Sequence, residues 1–315
     1  MTMLGHDAAW EAWRRAQGGE RMHHAWLLTG KQGLGKATFA RAAAAELLGA
    51  ANDGSHPDII ELTYAAKDDK EERKRADGKA FEKARSIRIA QIRAMQRRLT
   101  TRPTLGNKRV VIIDPADDLE RNAANALLKS LEEPPEGTYF LLVAHRPARL
   151  LPTIRSRCRT MRFAALADDT MSDLLDRLAP EATSETRIAA IRAAAGSPGA
   201  ALGFMRLDLG KANSLMQSIL DEGDRGFALR GALASVIGAR PDRERLQAIL
   251  DLARAALAER LNTVVQDPTA LIEAHGELVQ LTAEQPTYNY DAGLLAMEIG
   301  TLLARAGAAS AGAHG

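Results

Sequence analysis

The amino-acid sequence predicts an α/β fold: a doubly wound parallel sheet with a phosphate-binding loop, followed by a small helical segment and a longer all-helical one. Three observations carry this expectation. Residues 1 to about 163 alternate short β-rich apolar runs with stretches at helical spacing, the pattern of a parallel sheet with crossover helices. A glycine-rich run, Gly30 to Lys36, lies between a strand and a helix. Beyond about residue 164 only helical patterns remain, broken at Pro180 and at Gly196-Ser197-Pro198-Gly199.

Ala25–Thr29 reads as the first apolar strand and Lys36–Leu48 as the helix after the loop. Asp58–Leu62 and Val110–Asp114 are further strands. Thr138–Ala144 is apolar and β-rich between Gly137 and Pro147, as in a strand buried on both faces. Helices are expected from Ile87, with Ile92 or Met95 and Leu99 on one face, and from Arg121. In the second, Ala124, Leu127, Leu128 and Leu131 recur at helical spacing. Pro134-Pro135 must stop it near Glu133, because proline lacks an N–H and restricts the residue before it. Residues 1–163 thus form a nucleotide-binding-like domain and 164–207 a three-helix lid; 208–315 form a helical domain with a disordered Ala/Gly-rich tail.

With 315 residues, 46% hydrophobic and 26% charged, the chain matches a soluble globular protein. It has no apolar run of membrane-spanning length and no signal-peptide pattern, so no membrane role is expected and the cytoplasm is the expected location. One cysteine, Cys158, forms no internal disulfide, and with scattered histidines it supplies no zinc set; His56 before Pro57 reads as a loop residue. Net charge is +2, yet Lys67–Arg109 holds fifteen Lys/Arg against six Asp/Glu, a local +9 that leaves −7 elsewhere. The first half of this stretch lacks apolar periodicity and reads as an exposed loop or frayed helix. Two accounts stay open for it: a solvated insertion, or a nucleic-acid contact through phosphate neutralisation.

The chemistry-bearing residues cluster in the first part. Gly30, Gly33 and Gly35 with Lys36 form a phosphate cradle of backbone N–H groups backed by a helix dipole. The residue after the lysine, usually a hydroxyl that ligates Mg²⁺, is Ala37, and Thr38 should point elsewhere on the helix. Asp114 closes the apolar run Arg109–Asp114 in the manner of a Walker-B carboxylate, but Pro115 follows where a water-polarising glutamate would stand. Asp117 and Asp118 read as helix-start residues.

This layout, with the run Asn122–Glu133, the strand Thr138–Ala144 and the segment Ser156-Arg157-Cys158, resembles the AAA+ clamp-loader subunits of bacterial DNA polymerase III, and among them the delta-prime family. The resemblance extends to the C-terminal part, where Asn289 in a turn precedes a helix with Leu294, Leu295, Ile299, Leu302 and Leu303. It implies an AAA+ core, a lid and a collar domain that oligomerises. It also implies a hetero-pentamer with gamma/tau-type ATPases and a delta-type subunit, which loads the sliding clamp onto primed DNA as part of the DNA polymerase holoenzyme. Under it, Arg157 reaches toward ATP held by a neighbouring subunit. The sensor-1 position corresponds to Ala144 or His145, and the sensor-2 arginine is replaced in Pro198-Gly199-Ala200. With Ala37 and Pro115, these departures imply a degenerate site that binds ATP or ADP weakly and does not hydrolyse it. Family members often carry a four-cysteine zinc module after the first helix; this chain has none there. The alternatives are an ATP-hydrolysing motor subunit of the same loader, which Ala37 and Pro115 disfavour, and a nucleotide-independent DNA-binding scaffold.

Overall fold

In a computed structural model, residues 5–19, 22–51, 56–263, 268–285 and 290–311 are described, and the chain divides into two units at Ala165 and Leu166. The first holds a five-stranded sheet of β1 (Ala25–Thr29), β2 (Ile59–Leu62), β3 (Arg109–Ile113), β4 (Thr138–Ala144) and β5 (Arg159–Arg162) in the order β2-β3-β4-β1-β5. Every pairing is parallel, with Ala25 opposite Phe140 and Trp26 opposite Arg159. This is the doubly wound parallel sheet expected from the sequence.

Alternate strand residues point to opposite faces. Trp26, Leu28, Val110, Ile112, Leu141 and Val143 pack with Trp13 of α1 (Asp7–Gln17) and Phe39 of α2 (Lys36–Leu48). Ala25, Leu27, Val111, Ile113, Phe140 and Leu142 pack on the other face, with Ile92 and Met95 of α4 (Ile89–Leu99) and Leu127 and Leu131 of α5 (Arg121–Glu132). Both faces are covered, which is why the strands read as continuous apolar runs. Glu133 caps α5 before Pro134, as the prolines require.

Three local features differ from the expectations. The charged stretch contains a helix, α3 (Asp69–Ala76), where an exposed loop or frayed helix was expected. Its cap is Asp68, which accepts the Glu71 backbone N–H at 3.0 Å, and the buried Glu71 carboxylate accepts from Lys74 and from the Glu82 backbone N–H, each at 2.7 Å. Polar closure holds this segment, so hydrophobic periodicity gave no sign of it. The helix expected from Ile87 begins at Ile89, because Ile87 bridges Leu119 in parallel. Strand β5, too short and charged to register as a strand, completes the sheet beside β1 through its buried Met161.

The second unit is helical: α7 (Asp168–Leu178), α8 (Ser184–Ala194), α9 (Pro198–Arg206), α10 (Gly210–Glu222), α11 (Ala228–Ile237), α12 (Arg243–Thr263), α13 (Thr269–Glu284) and α14 (Ala292–Ala311). One apolar cluster, including Met171, Phe204, Met216, Leu250, Leu278 and Leu303, joins the helices expected as lid and as collar. Gly307 lets α14 approach α10, since a Cβ there would lie 2.3 Å from the Leu220 carbonyl oxygen. Helix α14 continues to Ala311, so residues 306–311 are helical where a disordered tail was expected; residues 312–315, and Asn289 in the expected turn, lie outside the described residues. Among the described residues no helix is long and apolar enough to cross a membrane.

Candidate functional site

The phosphate loop leaves β1 at the point where the sheet order reverses, with β4 beside it, the place where open α/β sheets hold ligands. Gly30, Gly33 and Gly35 have φ of 149°, 82° and 81°, conformations that only glycine adopts at low cost, and Gly35 caps α2. Gly30 is further constrained because an added Cβ would meet the Phe163 carbonyl oxygen at 2.5 Å. His6, just before α1, reaches the loop through Nε2, 2.7 Å from the Leu34 carbonyl oxygen.

Lys36 is buried, and its ammonium donates to the carbonyl oxygens of Gly30 at 2.7 Å and Lys31 at 2.5 Å. Burial lowers its pKa to about 8, against the pull of the Asp114 and Asp117 charges. Ala37 brings no oxygen to the first turn of α2, and the Thr38 side chain is exposed on it. Asp114 follows β3 directly, its pKa raised by burial and held back chiefly by Arg41. Pro115 is buried beside it.

Asp117 does more than begin a helical turn. Its fully buried carboxylate accepts the backbone N–H groups of His145 and Arg146, each at 2.9 Å, and so anchors the chain leaving β4. Asp118 accepts from the Tyr64 hydroxyl at 2.5 Å, from Arg146 at 3.2 Å and from Arg149 at 3.3 Å. Ala144 is the last residue of β4, whereas His145 brings a ring whose buried Nδ1 has no hydrogen-bond partner among the described residues. Burial, then the Lys36 charge, lowers the His145 pKa to about 4, so the ring is neutral at pH 7.

The structure therefore brings Gly30, Gly33, Gly35, Lys36 and Asp114 together with His145, one of the two residues named for the sensor-1 position, and adds Asp117, which the sequence presents only as a helix-start residue. The glycine cradle, the N-terminus of α2 and Lys36 fit a polyphosphate such as that of ATP or ADP. The Mg²⁺ side fits less well: Ala37 follows Lys36 in place of a hydroxyl, and Pro115 follows Asp114 in place of a glutamate.

Arg157 follows α6 (Pro152–Arg155) and precedes β5. Its Nη1 donates to the Thr153 carbonyl oxygen at 3.0 Å and its Nη2 lies 2.6 Å from Oε1 of Glu132, the last residue of α5. Of its neighbours, Arg155 is exposed and Arg159 lies over the Trp26 ring, 5.0 Å from its centroid. Cys158 packs against the apolar cluster, and burial pushes its thiol up to about 12. In the second unit, Ser197 caps α9 by accepting the Ala200 N–H at 3.3 Å, so the Pro198-Gly199-Ala200 run starts a helix.

The family profile described as "DNA polymerase III, delta subunit" matches residues 5–167, which contain the whole sheet, the phosphate loop and Arg157. Among similar proteins is the DNA polymerase III subunit delta' of Pseudomonas aeruginosa, 34% identical over 198 residues, or 58% of this chain and 56% of that one. The delta' subunit of Escherichia coli is 37% identical over 158 residues, 49% of this chain and 41% of its own. The subunit tau/gamma of Haemophilus influenzae is 30% identical over 171 residues, 49% of this chain and 22% of its own. The chain spans about half the length of the delta' relatives it matches. With the profile covering more than half of its residues, the chain belongs to the DNA polymerase III delta subunit family, on its delta-prime branch.

Proposed function

We propose that this chain is a delta-prime-type subunit of a DNA polymerase III clamp loader. It sits in a hetero-pentamer with gamma/tau-type ATPases and a delta-type subunit, and helps place the sliding clamp on primed DNA without hydrolysing ATP itself. The observation that carries this reading is the contrast between two sites. Lys36 is buried on its own loop's carbonyls beside Ala37 and Pro115, while Arg157 stands at the surface in an intact Ser-Arg-Cys segment. In this reading Gly30, Gly33, Gly35 and Lys36 bind ATP or ADP weakly, because Lys36 must first give up two charge-assisted bonds. Arg157 places its planar fork against the γ-phosphate of a neighbour's ATP and offsets the charge that develops there.

The test is steady-state ATP turnover by the pure chain, where negligible turnover is expected, and then by a loader reconstituted with parent or Arg157→Ala subunit at equal assembly. A finger arginine is worth about 10³–10⁵ in rate at its own site, diluted in the whole complex by unaffected sites. Arg157→Ala should depress loader turnover, and Arg157→Lys should rescue it poorly, because an ammonium lacks the bidentate fork. Unchanged turnover with Arg157→Ala would remove the trans role.

A further inference from the structure

Glu132 ends α5, where a negative side chain opposes the helix dipole and is locally unfavourable. Two more exposed carboxylates, Glu133 and Glu136, follow around the Pro134-Pro135 turn. Against this acidic end lies Arg157, 2.6 Å from Glu132 and bonded to the Thr153 carbonyl oxygen of its own turn. Two of the guanidinium's five donors are therefore taken within the chain, one of them by a full negative charge.

We infer that Glu132 is a positioning residue that parks Arg157 in the free subunit, and that a phosphate group of a neighbour's nucleotide engages Arg157 by displacing the Glu132 carboxylate. This deepens the trans role proposed for Arg157 and rests on it. Magnitudes decide the direction of the exchange. Both partners are partly exposed, with side-chain accessibilities of 35% for Arg157 and 47% for Glu132, and an exposed pair of this kind is worth at most about fivefold in an equilibrium constant. A neighbour's phosphate offers the guanidinium fork two parallel charge-assisted bonds in place of this single partly exposed contact, and the further gain of about 10³–10⁵ in rate comes in the transition state. The carboxylate thus holds the side chain against its own subunit when no nucleotide faces it, and yields when one does. Thr153 keeps its bond to Nη1 throughout and sets where the guanidinium stands. The cost of the exchange falls on engagement of the nucleotide, so it is read in the half-saturating ATP concentration.

The experiment uses Glu132→Gln, which keeps shape and an acceptor oxygen but removes the charge, with Glu132→Ala as a second variant. Phenylglyoxal modification of the full chain, followed residue by residue by mass spectrometry, should label Arg157 roughly two- to fivefold faster in either variant, with the exposed Arg155 as an unchanged reference. In a loader reconstituted with the Glu132→Gln chain, the KM for ATP should fall, by less than the labelling factor because the unaffected sites dilute it. Equal labelling of Arg157 in parent and variants, or a KM that rises, would overturn the inference. If Arg157→Ala depresses loader turnover while Glu132→Gln changes neither labelling nor KM, the parking role fails and the trans role stands. If Arg157→Ala leaves turnover unchanged, both fail.

Discussion

Asp117 accepts the backbone N–H of His145 at 2.9 Å, joining the turn after β3 to the end of β4 across the floor of the phosphate site. The same carboxylate accepts from Arg146, so one buried side chain satisfies two successive main-chain donors and fixes where the His145 ring stands. Asp117→Ala should therefore cost roughly 2–4 kcal/mol, because two N–H groups lose their acceptor. Asp117→Asn, which keeps one acceptor oxygen, should cost less. Urea denaturation of the three proteins checks this; equal midpoints would mean that solvent takes over both bonds.

Gly30→Ala should destabilise by about 1–3 kcal/mol from its φ of 149° alone. It should lose more because its Cβ meets the Phe163 carbonyl oxygen. Gly78, also at positive φ but in open space, supplies the control. Gly78→Ala should be clearly milder in thermal melts, and a reversed order would refute the close approach at Gly30.

Lys36 has a pKa lowered by burial to about 8, so it is charged at pH 7 and largely neutral by pH 10. Nucleotide phosphates bind the charged form. Affinity of the isolated chain for ATP or ADP should be weak and flat below about pH 8, then fall about tenfold per pH unit above it. In Lys36→Gln the affinity should be weaker still and independent of pH over this range. Titration calorimetry at pH 7 and pH 10 decides; equal affinity of the parent at both would place the phosphates away from Lys36.

His145 titrates near 4 in the folded chain because of burial and the Lys36 charge, against about 6.5 when unfolded. Between those values the unfolded state binds the extra proton and the folded state does not. Stability therefore falls as pH drops from about 6.5 toward 4. His6 and His275, also lowered first by burial, add to the same limb. His145→Asn should make the acid limb shallower without abolishing it, as read from melting temperature against pH. An unchanged slope would mean that the His145 ring is protonated in the fold.

What the sequence by itself determined is local. Strand and helix periods, the turn-forming glycines, the prolines that end α5 and the order of phosphate loop, Asp114 and Ser156-Arg157-Cys158 each depend on residues close together in the chain. Ala37 and Pro115, on which the proposed loss of hydrolysis rests, are legible in the same way. The tertiary structure alone decided the long-range polar pairings, whose sequence separation leaves no periodic trace. Asp117 reads as an ordinary helix-start acid until β3 and β4 lie side by side and bring His145 to it. Glu132 reads as a charged helix end until the chain returns twenty-five residues later with Arg157. Helix α3 escaped for a related reason: a buried carboxylate, Glu71, holds it in place of an apolar face. The folded-back Lys36 has another origin, since the motif specifies the lysine's position but only the packed, desolvated loop selects the Gly30 and Lys31 carbonyls as its partners.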